Sequence, residues 1–246
     1  MSSTDDRSFD VRLEGNAGTL LAGFAEYGLA GLTAAEYLTT QLELERVGHV
    51  AVEGIPAITP FENGTPRRHT RLFSKPEFDL TVLVGELPVP PFAADSLADG
   101  ITGHTEEHGI DEIVVLSGVP LAHGPEDHRP FYIATEEYQK HHLGEGGAEI
   151  VPMTGGFLEG VNAELMERSL ERSLPSCVLT TPVHPRAPDI EAALRLLEAV
   201  DRIYDIGLDI GPLETFAQDL SKQYEELSQQ IEATRKEHIA DDRMYM

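Results

Sequence analysis

Short apolar runs alternate with helical stripes along most of this chain, and that alternation limits the fold more than any other feature. Segments 19–24, 78–85, 112–117 and 177–181 are near-continuous apolar or β-branched stretches, the mark of strands buried on both faces. Between them lie stretches with helical spacing. Leu29, Leu32, Ala35 and Leu38 share a stripe in 28–42, and Ile190, Ala193, Leu194, Leu197, Val200 and Tyr204 share one in 188–204. Pro188 and Asp189 stand where a helix start favours proline and acid. Segments 93–108 and 157–172 also read as helices. Phe9, Val11 and Leu13 alternate like a half-buried strand, 47–52 and 148–152 read as strands, and 56–66 reads as a loop. The expected fold is α/β: a three-layer sandwich around a mostly parallel mixed sheet.

Past Gly207 and Gly211-Pro212 the pattern changes. Leu213, Phe216, Leu220, Tyr224, Leu227 and Ile231 are spaced 3, 4, 4, 3 and 4 with polar residues between them, one amphipathic helix. If helical throughout, 212–240 extends about 43 Å at 1.5 Å per residue. The expected organisation is a flexible N-terminus at 1–8, an α/β domain at 9–211, a C-terminal helix at 212–240 and a flexible tail at 241–246.

The chain has 246 residues, 43 acidic and 18 basic, and a net charge of −25, yet 41 % is apolar. That is a folded protein with an acidic skin. Such charge repels itself unless salt screens it, and at about 1 M salt the Debye length falls to about 3 Å. Strong acidity with only 4 lysines points to a halophilic, archaeal cytosol. No basic stripe invites nucleic acid. No run approaches the ~18 apolar residues of a membrane span. Met1 to Phe9 is polar and lacks a signal core, so a cytoplasmic protein is expected. The single cysteine, Cys177, excludes an intramolecular disulfide and reads as a small core residue.

Several motifs reach towards chemistry. His104-Thr105-Glu106-Glu107-His108 has the H-x-x-E-H spacing of a zinc peptidase, with Glu164 or Glu171 as a third ligand, but a solvated helix face fits it better. Gly155, Gly156 and Gly160 match neither the P-loop nor the dinucleotide fingerprint, and close strand–helix packing is the expected use. His123, His128, His141 and His142 lie in loop-like sequence, and Ser117-Gly118 lacks the nucleophile elbow. No catalytic residue, metal site or cofactor is assigned, and the chain is read as a non-enzyme.

Residues 242–246 read Asp-Arg-Met-Tyr-Met. An apolar residue, a tyrosine and a carboxylate make a compact docking element: tyrosine is large and rigid, and a carboxylate can be captured by lysine or backbone amides. Met244, Tyr245 and Met246 match the hydrophobic-Tyr-X (HbYX) ending of proteasome activators. The body carries a second resemblance. Gly15-Asn16-Ala17-Gly18, Gly23-Phe24, the stretch from Gly28 to Leu38, Val84-Gly85-Glu86, the strand from Ile113 to Gly118, Gly155 to Gly160, Cys177 to Thr181 and Gly207 to Ile210 resemble, in order and spacing, the archaeal proteasome-assembly-chaperone family. Two turns depart from its pattern, reading Leu116-Ser117-Gly118 and Val178-Leu179-Thr180-Thr181-Pro182. The resemblance implies a phosphorylase-like α/β fold, homo-oligomers and proteasome core particle α-subunits as partners. It implies an ATP-independent activator or assembly chaperone whose Met244, Tyr245 and Met246 enter pockets of the α-ring. The alternative of another class is a small-molecule, nucleoside-like enzyme or binding protein on the same fold.

Overall fold

The structure is a computed structural model and describes residues 10–11, 18–50, 58–121, 124–144, 146–184 and 188–213. The chain divides into a body, Met1–Leu208, and a second unit, Asp209–Met246. In the second unit, 211–213 are helical; the rest of the expected helix and the tail lie outside the described residues.

The strands are β1 (Asp10–Val11), β2 (Thr19–Phe24), β3 (Glu45–His49), β4 (Phe61–Glu62), β5 (Thr65–Pro66), β6 (Thr70–Ser74), β7 (Leu80–Gly85), β8 (Glu112–Val119), β9 (Phe131–Ala134), β10 (Val151–Pro152) and β11 (Ser176–Pro182). The helices are α1 (Ala30–Gln41), α2 (Pro91–His108), α3 (Glu136–Tyr138), α4 (Gly160–Arg172) and α5 (Ile190–Tyr204). Among the described residues nine strands form one sheet in the order β1-β3-β6-β7-β2-β8-β11-β9-β10. Its centre, β7-β2-β8-β11, is parallel throughout, with Leu21 opposite both Val82 and Val114. Antiparallel pairs flank that centre, β6 on β7 and β9 on β11. The α/β expectation holds.

Burial follows the pleat. Every residue of β2, β7 and β11 is buried, and alternate residues point to opposite faces. Leu20, Ala22, Phe24, Leu83, Ile113, Val115 and Val178 form one core with Leu97 and Ile101 of α2 and Val161 and Leu165 of α4. On the other face α1 packs on β2, β7 and β8, and α5 packs on α1 and β11. Asp189 caps α5 as expected, its Oδ1 accepting the Ala192 N–H at 2.9 Å.

Arg168 of α4 ties the outer helices together. Its Nε donates to Asp99 Oδ1 of α2 at 2.7 Å, and it also pairs with Asp95 and Glu164. Two glycines set the depth of α1. A β-carbon on Gly31 would overlap the Leu116 carbonyl oxygen, and one on Gly23 would overlap the Gly31 carbonyl. Close backbone approach, rather than turn formation, is why glycine stands there.

The structure adds elements to the sequence reading. β6 and β9 were not expected, and 56–66 carries the small β4–β5 hairpin rather than only loop. The strand expected at 47–52 begins at Glu45 and ends at His49, and α4 starts at Gly160 rather than Phe157. No helix among the described residues is long and apolar enough to cross a membrane.

Replacing Gly31 with alanine is expected to cost about 3 kcal/mol, the upper end for overpacking a core. Urea denaturation would measure it. A variant as stable as wild type would contradict the close approach.

Candidate functional site

Parallel strands end together, and the crevice beyond their carboxyl ends is where open α/β sheets place ligands. Here that crevice is a cleft of about 1020 Å³. Three polar side chains converge at it from different elements: Glu26 just past β2, Ser117 on β8, and Asn162 in the first turn of α4. Ser117 Oγ donates to Glu26 Oε2 at 2.7 Å, and Asn162 Nδ2 donates to the same oxygen at 3.0 Å. Asn162 Nδ2 also lies 3.2 Å from Ser117 Oγ. Asn162 Oδ1 is buried with no hydrogen-bond partner among the described residues.

Burial raises the Glu26 pKa above its ordinary value of 4.5. The hydrogen bonds from Ser117 and Asn162 oppose that rise, and the nearby charge of Glu159 adds to it. The walls are largely apolar, with Val89, Ile133, Met153, Leu158 and Val178 among them. The backbone entering α1 is strained: Leu29, also on the cleft, has φ +50°, in the left-handed region disfavoured for a side chain of this kind.

Gly155, Gly156 and Gly160 line the cleft, but not as expected. A β-carbon on any of them would meet open space, so close strand–helix packing is not their role. Gly156 and Gly160 instead adopt φ +151° and +59°, which turns the chain into α4 and leaves Phe157 fully exposed.

A second polar cluster occupies the opposite pole, at the starts of β2 and β8. Glu112 Oε1 accepts from Thr19 Oγ1 at 2.9 Å and Tyr204 Oη at 2.7 Å, and His142 Nε2 lies 2.7 Å from Oε2. Tyr138 and Tyr204 share a hydrogen bond of 3.0 Å. Burial pushes the Glu112 pKa up, but hydrogen bonds from His142 and Tyr204 outweigh it and the net shift is down. Burial raises both tyrosines. This cluster fastens β2, β8, α5 and the turn after α3 together, so His142 is a structural partner rather than a loose loop histidine.

The other candidates separate. Cys177 is fully buried and its pKa lies well above 9.0, from burial first and the Glu112 charge second, which makes it a poor nucleophile. His128 and His184 meet edge to face at 6.2 Å. His123 and the side chains of His104, Glu106 and Glu107 lie outside the described residues, as do Met244, Tyr245 and Met246. Among the described residues no three His, Cys, Asp or Glu are grouped to hold a metal ion. Sequence reasoning missed Glu26 and Asn162. The signal available was positional: a lone acid directly after a buried strand.

A doubly covered α/β sheet with a cleft at its strand ends is therefore the class of this protein. Residues 20–228 match the PAC2 family, and the chain belongs to it. An uncharacterized protein of Methanocaldococcus jannaschii is 23 % identical over 223 residues, covering 89 % of this chain and 90 % of that one. Among solved structures, PbaA of Pyrococcus furiosus, an archaeal homolog of proteasome-assembly chaperone, superposes with TM-score 0.80 at 22 % identity, covering 96 % of this chain and 98 % of that one. PbaB of the same organism, an archaeal proteasome activator, gives 0.74 at 19 % identity, covering 90 % and 97 %.

Because the folded Glu26 pKa is raised, its contribution to stability is full below pH 4.5 and is lost as pH rises through the folded value. Glu26→Gln removes that loss. The variant is expected to gain on wild type as pH rises from about 4 to about 8, read by chemical denaturation at each pH. An offset independent of pH would contradict the raised pKa.

Proposed function

We propose that this protein is a non-enzymatic partner of the proteasome core particle. It acts as an ATP-independent activator or assembly chaperone and docks through Met244, Tyr245 and Met246. The observation that carries this reading is membership of the PAC2 family together with the Met-Tyr-Met sequence at 244–246. The likeness to PbaA and PbaB along nearly the whole chain supports it. In this reading the α/β body forms a homo-oligomer and presents several tails to the α-subunits. Met244 fills an apolar patch, Tyr245 wedges between neighbouring subunits and the Met246 carboxylate pairs with a lysine. Each tail binds weakly, and several on one body gain from effective concentration when their spacing fits the pockets. In molar salt, long-range steering is screened, so the packing of Tyr245 carries more of the affinity than surface charge does.

Removal of residues 244–246, or Tyr245→Ala, is expected to abolish retention on immobilised core particles and any stimulation of their peptidase activity in molar salt. A loss of about tenfold or more is expected from the tyrosine alone, the scale of an interface anchor. Unchanged binding in both variants would overturn the proposal. Reconstitution separates the two roles: a chaperone binds free α-subunits and leaves the finished particle, whereas an activator binds the finished particle.

A further inference from the structure

The cleft plays no part in tail docking, yet its floor holds an acid in an unusual position. Other acids drawn towards the body are matched with bases: Glu86 with Arg67 and Arg71, Glu112 with His142, and Asp99 with Arg168. Among the described residues Glu26 takes side-chain hydrogen bonds from the neutral donors Ser117 and Asn162 alone, and the charge that acts on it is another acid, Glu159. Both donors land on Oε2, so Oε1 takes no side-chain hydrogen bond among the described residues. Among the described residues that line the cleft, none is lysine, arginine or histidine.

A buried carboxylate without a cation is costly, and a ligand that supplies the cation removes that cost. The amide of Asn162, 7 % exposed, points the same way: its Oδ1 is a buried acceptor with no partner among the described residues. The helix start at α4 contributes a partial positive charge of about half a unit, less than the two carboxylates beside it. The volume, about 1020 Å³, is at the upper end of small-ligand sites and far larger than a single ion needs. Leu29 holds its strained conformation on this same cleft.

We propose that the cleft is a binding site for a small organic amine, with its apolar body against Val89, Ile133, Met153, Leu158 and Val178 and its ammonium group directed at Glu26. The ammonium donates to Glu26 Oε1, and a small rotation of the Asn162 amide brings Oδ1 to a second N–H. Anions such as phosphate meet two carboxylates and are rejected. This inference stands apart from the tail reading, since its readout involves no other protein.

Isothermal titration of the full chain with 2-phenylethylamine, its neutral counterpart 2-phenylethanol, and inorganic phosphate tests it. The amine is expected to bind saturably and about tenfold or more tighter than the alcohol, and phosphate not at all. Glu26→Gln keeps the shape of the side chain and is expected to bring the amine and alcohol to equal affinity. Glu159→Lys, at an exposed position, is expected to weaken the amine severalfold without threatening the fold. Absence of saturable amine binding, an amine preference that survives in Glu26→Gln and Glu159→Lys, or phosphate binding tighter than the amine would overturn the proposal.

Discussion

Four parallel strands with no polar face must be covered on both sides, and that requirement organises the rest of the molecule. The centre β7-β2-β8-β11 is apolar on each face, so helices pack above and below it. On one side the packing is close enough that Gly23 and Gly31 admit no β-carbon. On the other, Arg168 ties α4 to α2 through the carboxylates of Asp95 and Asp99. Parallel order also brings the strand ends to common poles. At the carboxyl pole the chain turns from strand to helix several times, and the gap between those turns is the cleft that holds Glu26. At the amino pole the starts of β2 and β8 are joined by Thr19, Glu112, His142 and Tyr204. One pole is closed by satisfied hydrogen bonds, whereas the other, among the described residues, is left open with an acid held by neutral donors alone and an amide oxygen without a partner.

The central strands are legible in the sequence because burial on both faces makes their runs near-continuously apolar or β-branched: Thr19–Phe24 is the same in sequence and structure. The flanking antiparallel strands were not. In Thr70–Ser74 only Thr70 and Leu72 are buried, too few positions for a period of two to stand out, and Arg71 and Ser74 read as loop. Phe131–Ala134 is four half-buried residues behind a stretch rich in histidine and proline. The start of α4 was misplaced because Phe157 continues its apolar pattern, although Gly156 and Gly160 hold backbone angles that end any helix there.

The cleft was less legible than the fold. Glu26 and Asn162 are 136 residues apart and belong to no shared motif. Ser117 lacks the elbow of a nucleophile, and its partner is a carboxylate just past β2 rather than a histidine. The glycines before α4 read as close-packing residues because they precede a helix start, whereas open space around them and positive φ at Gly156 and Gly160 make them turn residues. Residues 244–246 read as a motif because a tyrosine and two methionines stand out in so polar a stretch of sequence.

The central claim is that this PAC2-family chain reaches the proteasome through those residues, and competition tests it most directly. Core particles loaded with the protein in molar salt would be challenged with a large excess of a synthetic peptide spanning residues 240–246, and with the same peptide carrying alanine for Tyr245. The account predicts that the first peptide displaces the protein and the second does not. Protein that stays bound under both peptides alike, or never loads onto the particle, would contradict it.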